Sequence, residues 1–161
     1  MKSKKRLFAE LLFFGLFGTL VLSVTTFAKS QTNLQKVIAN HINKVREDAV
    51  EYKKERKIVY GDLNGDGRSD AVVQYTLEGT GGNYWEQTLV VFFNKKGVYK
   101  ISDRETVGGK FFRSFALLKV AGKEIIGATE TCPEDEPQGL CQNPKKKRVK
   151  YVLSKGKLKE K

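Results

Sequence analysis

The stretch Lys57-Ile-Val-Tyr60-Gly-Asp62-Leu-Asn64-Gly-Asp66-Gly67-Arg68-Ser-Asp70-Ala-Val-Val73-Gln-Tyr-Thr-Leu77 sets a run of short polar residues between two apolar segments. The flanks, Lys57 to Tyr60 and Ala71 to Leu77, are rich in β-branched and aromatic side chains, which fit a pleated, half-buried surface, so both read as strands. Between them Asp62, Asn64, Asp66 and Asp70 occupy positions 1, 3, 5 and 9 of a loop with Gly67 at position 6. A hard Ca²⁺ ion prefers six to eight oxygen ligands, and alternate side chains can face one centre only if the backbone turns sharply at Gly67. The Arg68 carbonyl then falls at position 7. Position 12 is Val73, where an EF-hand carries a bidentate glutamate, and no helices flank the loop, so an EF-hand is excluded.

The segment Gly61 to Val73 resembles the strand-loop-strand calcium motif of FG-GAP and VCBS repeats. Carried over position by position, the resemblance implies Asp62, Asn64, Asp66 and Asp70 as side-chain ligands of Ca²⁺ and Arg68 as a backbone ligand. It covers this hairpin alone. The motif occurs once and a propeller needs several blades, so a propeller is excluded. The competing reading is a metal-free turn, because Asn-Gly and Asp-Gly are strong turn formers.

Upstream, Thr32-x-x-Gln35 makes a capping box, and Leu34, Val37, Ile38, His41, Ile42, Val45, Ala49 and Tyr52 recur at three- and four-residue steps. This predicts one amphipathic helix of about five turns, with Lys44, Glu47, Asp48, Glu51 and Lys54 on its solvent face. Downstream the chain alternates strands and turns. Trp85-Glu-Gln-Thr-Leu-Val-Val-Phe-Phe93 ends in five apolar residues that cover both faces, which predicts a central strand. Turn signals at Asn94-Lys-Lys-Gly97, Gly108-Gly109 and Ala121-Gly-Lys123 separate further strands, and Arg148-Val-Lys-Tyr-Val-Leu153 alternates basic and apolar residues as one more. The fold class expected is α+β: an N-terminal amphipathic helix packed on one antiparallel, twisted sheet of about five to seven strands in a meander, the other face closed by curvature of the sheet. Leu34, Ile38, Ile42, Val45, Val72, Leu89, Val91, Phe93, Phe115 and Leu117 are its expected core.

Residues 1–28 read as a signal peptide, with a basic start, an apolar run from Leu7 to Val24, and Thr26-Phe-Ala28 for cleavage after Ala28. The alternative is an uncleaved anchor, since the run is just long enough to span a bilayer. Cleavage leaves residues 29–161 as a single domain with no stable membrane span, periplasmic or secreted. In that oxidising setting the only two cysteines, Cys132 and Cys141, are expected to close a short disulfide loop around Pro133-Glu-Asp-Glu-Pro137; their spacing is not that of a CxxC thiol pair. The four Lys/Arg and one glutamate of residues 1–28 account for +3 of the +12 formal charge, leaving +9. Such a domain favours an anionic envelope surface or glycan, or an exported protein, as partner.

Pro144-Lys-Lys-Lys-Arg-Val-Lys150 looks like a nucleic-acid patch, but export separates it from the genome, so no nucleic acid is expected; a solvated edge strand guarded by lysines accounts for it. The turn Gly79-Thr-Gly-Gly-Asn83-Tyr84-Trp85 is a candidate ligand loop for a sugar or peptide, against which stands a Trp85 that caps the core. His41, the sole histidine, lies on the apolar stripe and is assigned a packing role. No catalytic residues are identified. The function expected is therefore a non-enzymatic, exported calcium-binding interaction module. The alternatives are a calcium-assisted hydrolase and an inhibitor of an exported hydrolase.

Overall fold

In the computed structural model the described residues are 31–82, 85–109, 113–133 and 141–161. Helix α1 spans residues 31–45, and the strands are β1 (Val50–Glu51), β2 (Lys57–Gly61), β3 (Asp70–Glu78), β4 (Trp85–Lys95), β5 (Val98–Gly109), β6 (Arg113–Ala121), β7 (Glu124–Thr131), β8 (Lys145–Ser154) and β9 (Lys157–Glu160). All pairings are antiparallel. β1 and β2 share one edge of β3, and β3 to β9 form a continuous meander. The α+β class and the antiparallel sheet are as expected. One finer expectation is corrected: among the described residues the sheet has nine strands rather than five to seven, and the helix precedes all of them. The leader assigned to residues 1–28 lies outside the described residues.

The helix also ends earlier than its periodicity implies. It stops at residue 45, Glu47 takes φ +47°, and Val50–Glu51 pairs with Leu77 and Glu78 as β1. Val45 and Ala49 nevertheless pack on the same cluster as Leu34, Ile38 and Ile42. The three- and four-residue spacing thus reports a shared buried face, which persists after the backbone has left the helix.

One long sheet makes two layers because β5 pairs with β4 along most of its length but meets β6 only at Gly109 and Arg113. Strands β6 to β9 fold back over β2 to β5. Between the layers lies a core of Val72, Leu89, Val91, Phe115, Leu117, Ile125, Val149, Tyr151 and Leu158. The opposite face of β3 and β4 buries Ala71, Val73, Tyr75, Val90 and Phe92 against α1. β3 and β4 are therefore covered on both sides, as the apolar run Leu89 to Phe93 predicts. All ten expected core residues belong to these two clusters, with Val45 and Phe93 only partly buried.

The fold-back creates a problem of unpaired backbone, since one edge of β6 faces the side chains of the first layer. Two buried glutamines solve it. Gln74 Nε2 donates to the Phe115 carbonyl at 2.9 Å while its Oε1 accepts from Leu117 N at 2.6 Å, and Gln87 Oε1 accepts from Phe115 N at 2.6 Å. On the far side Asp103 of β5 accepts Leu158 N at 2.7 Å and pairs with Lys157 at 3.1 Å. Both flanks of the second layer are thereby tied to the first. At Gly61 the layers approach so closely that a Cβ would overlap Val120.

Candidate functional site

The loop between β2 and β3 is built around its first acidic residue. Asp62 Oδ1 accepts Gly65 N at 2.7 Å and Asp66 N at 3.2 Å, and Oδ2 accepts Gly67 N at 2.8 Å. Three backbone amides are therefore aimed at one carboxylate. That curl requires left-handed conformations at Gly65 (φ +80°) and Gly67 (φ +78°), which glycine adopts without steric cost. Leu63 is turned the other way, into the core between the layers, and anchors the loop. The bonds from Gly67, then Gly65 and Asp66, with the nearby Lys123 ammonium, hold the Asp62 carboxyl below the ordinary carboxylate range. It stays ionised at neutral pH.

Asn64 and Asp66 continue the pattern: Asn64 Oδ1 accepts Asp66 N at 2.9 Å, and Asp66 Oδ1 accepts Arg68 N at 2.9 Å. Arg68, expected to offer its carbonyl, also pairs its guanidinium with Asp66 at 2.9 Å. Asp70 stands apart. It is fully buried, and its oxygens accept Leu63 N at 3.0 Å and Asn94 N at 2.9 Å, so it clamps the loop's entry and the end of β4 together. Among the described residues no three His, Cys, Asp or Glu side chains converge as a metal-holding group.

Two contributors were not singled out from sequence as part of this site. Asn94 donates from Nδ2 to the Ser69 carbonyl at 3.1 Å and closes its own hairpin by accepting Gly97 N at 2.7 Å. Its place as first residue of a turn was the only signal. Lys123, in the β6–β7 turn, lies where a side chain at Gly65 would meet its Nζ at 3.0 Å. Nothing in the sequence pairs residues 65 and 123.

Cys132 and Cys141 are joined, with Cα atoms 5.4 Å apart. The bond spans the connection from β7 to β8, whose residues 134–140 lie outside the described residues. Closing about ten residues stabilises the fold by roughly 3 kcal/mol on chain entropy. Non-reduced protein is expected to show one internal link and no alkylatable thiol by mass spectrometry, and reduction should lower stability by no more than that amount. Two free thiols in freshly purified, unreduced protein would refute the assignment.

Of the candidate ligand loop, Asn83 and Tyr84 lie outside the described residues. Trp85 is the half-buried first residue of β4, paired with Glu78. Beside it a cleft of about 620 Å³ is lined by residues that include Arg46, Asp48, Thr80, Glu86, Thr88 and Arg104, at the opposite end of β3 from the loop 62–70. His41 sits edge-on to Tyr75 and Phe92, with Nε2 3.3 Å from the Tyr75 hydroxyl. Burial first, then Arg104 and Lys44, lowers its pKa, so it is neutral at physiological pH. Comparison with protein-family models, curated proteins and solved structures finds no match.

Proposed function

We propose that this chain is an exported, non-enzymatic interaction module that binds calcium in the loop 62–70, with an anionic envelope surface as its partner. The observation that carries the calcium reading is the Asp62 carboxylate, oriented by three amides in a glycine-shaped curl that also gathers Asn64, Asp66 and the Arg68 backbone. These are hard oxygen donors suited to Ca²⁺ rather than to softer metals. Asp62, Asn64, Asp66 and the Arg68 carbonyl would hold the ion. Asp62 and Asp70, whose oxygens already accept three and two amides, would reach it only with their remaining lone pairs. The ion would screen mutual repulsion among the acidic side chains and release Arg68 from Asp66. Export is supported by the Cys132–Cys141 bond, and no described helix is long and apolar enough to cross a membrane. The absence of an enzymatic role is supported by the use of the only histidine in packing against Tyr75 and Phe92.

Without a bidentate glutamate the affinity should be modest, with a Kd on the order of 10⁻⁴ to 10⁻³ M. Calcium at ten times Kd then stabilises the folded state by about 1.4 kcal/mol, which raises Tm by about 3–6 °C for a domain of this size. EGTA should remove the gain. Asp66→Ala should remove it as well, with little loss in EGTA, because its contacts are confined to the exposed loop. Identical melting curves in millimolar calcium and in EGTA, with no heat in titration calorimetry, would make the loop a turn and nothing more.

A further inference from the structure

The lysine-rich half of β8 is an edge, since β9 pairs only with Tyr151 to Ser154, but its cations belong to a wider face. Val149 and Tyr151 face the core between the layers, so alternation places Lys146, Arg148 and Lys150 on the outer face of the β6–β9 layer, about 7 Å apart along the strand. Pairing register extends that face sideways. Lys119 pairs with Ile126 and Ile126 with Lys150, while Lys159 pairs with the outward Val152 and Lys161 N bonds to the Lys150 carbonyl. Helix α1 packs on the far side of the other layer, so this face has no covering element among the described residues.

Six cations therefore share one open sheet face with two acids. Glu130 pairs with Lys146 at 2.9 Å, and Glu124 pairs with Lys150 at 2.8 Å and Lys161 at 3.7 Å. Lys119, Arg148 and Lys159 make no ion pair among the described residues. The floor between them is small and apolar: Ala116 and Ala128 lie in the row of Arg148, and Ile126 is only 6 % exposed, as expected of a residue flanked by two lysine stems. We infer that this face docks the protein on the anionic headgroups of a lipid bilayer. A broad open sheet face matches a planar array of phosphates, whereas a single glycan chain is better held in a groove lined by aromatic rings. The inference deepens the partner reading given above and does not depend on the calcium loop.

The test is co-sedimentation of the exported protein with phosphatidylcholine vesicles with and without phosphatidylglycerol, across a salt series. Binding should require phosphatidylglycerol and weaken as salt rises, which insertion of any retained apolar leader would not. The triple variant Lys119→Gln, Arg148→Gln, Lys159→Gln should bind on the order of 100-fold more weakly, from about fivefold per cation. A control that removes the same charge from elsewhere, Lys36→Gln, Lys44→Gln, Lys57→Gln, should lose far less. Equal losses in the two variants would reduce the effect to net charge and overturn the inference. So would an absence of phosphatidylglycerol-dependent binding, or retention on an anionic polysaccharide such as alginate without binding to vesicles. Calcium calorimetry on the same samples separates the two readings: heat without vesicle binding sinks the face alone, and vesicle binding without heat sinks the calcium loop alone.

Discussion

Asp70→Ala is expected to destabilise the protein by about 3 kcal/mol in EGTA and in calcium alike. The residue has no exposed surface, and its carboxylate accepts the Leu63 and Asn94 amides. Bonds to an ionised acceptor are roughly twice as strong as neutral ones, and each buried N–H left without a partner costs about 1–3 kcal/mol. Alanine leaves two such groups and a void. Asp70→Asn, which keeps one acceptor oxygen and turns an NH₂ toward the other amide, should cost about half as much. Urea denaturation measures both. A loss below about 1 kcal/mol in EGTA that grows in calcium would show that Asp70 is chiefly a ligand rather than a clamp. The contrast with Asp66→Ala, expected to act only when calcium is present, separates the loop's frame from its binding groups.

Gln74→Leu should cost a similar amount, about 2–4 kcal/mol, although leucine is nearly the same size and more apolar. Gln74 is 4 % exposed and serves β6 as a substitute for a neighbouring strand, donating to one carbonyl and accepting from one amide. Leucine leaves the Phe115 carbonyl and the Leu117 amide unpaired in a dry interior, where water cannot compensate. At about 4 °C per kcal/mol this is a fall in Tm of about 8–16 °C. The Leu117 amide should also lose protection in native-state hydrogen exchange before its neighbours on β7 do. An unchanged Tm would show that apolar packing offsets the lost bonds and that the second layer does not need them. Gln87→Leu, which breaks only the bond to Phe115 N, should be the milder change.

How much of this was legible beforehand depends on the range of the forces involved. The strands around the loop, the central run Leu89 to Phe93 and the turns at Asn94–Gly97 and Ala121–Lys123 follow from local patterns, because period-two alternation and turn chemistry are properties of adjacent residues. The same holds for the buried stripe from Leu34 to Val45, but not for Gly108 and Gly109, which read as a turn and instead lie within β5 and pair with β4. The curl around Asp62 was foreseeable too, since glycine spacing and acidic spacing act within nine residues. The end of α1 was not, because Ala49 keeps the apolar rhythm while β1 pairs with a strand almost thirty residues away. Nor was the role of Asp70, whose second amide comes from Asn94 across 24 residues of chain, or that of Gln74, whose partners lie 41 and 43 residues away. Periodicity tells which side of a segment is buried but not what buries it. From the sequence alone come most of the strands and turns, the buried faces, and the acidic and glycine spacing of the loop. The folding of one sheet into two layers, the polar ties between them and the open basic face were decided by tertiary structure, because each depends on backbone groups meeting side chains that no local pattern connects.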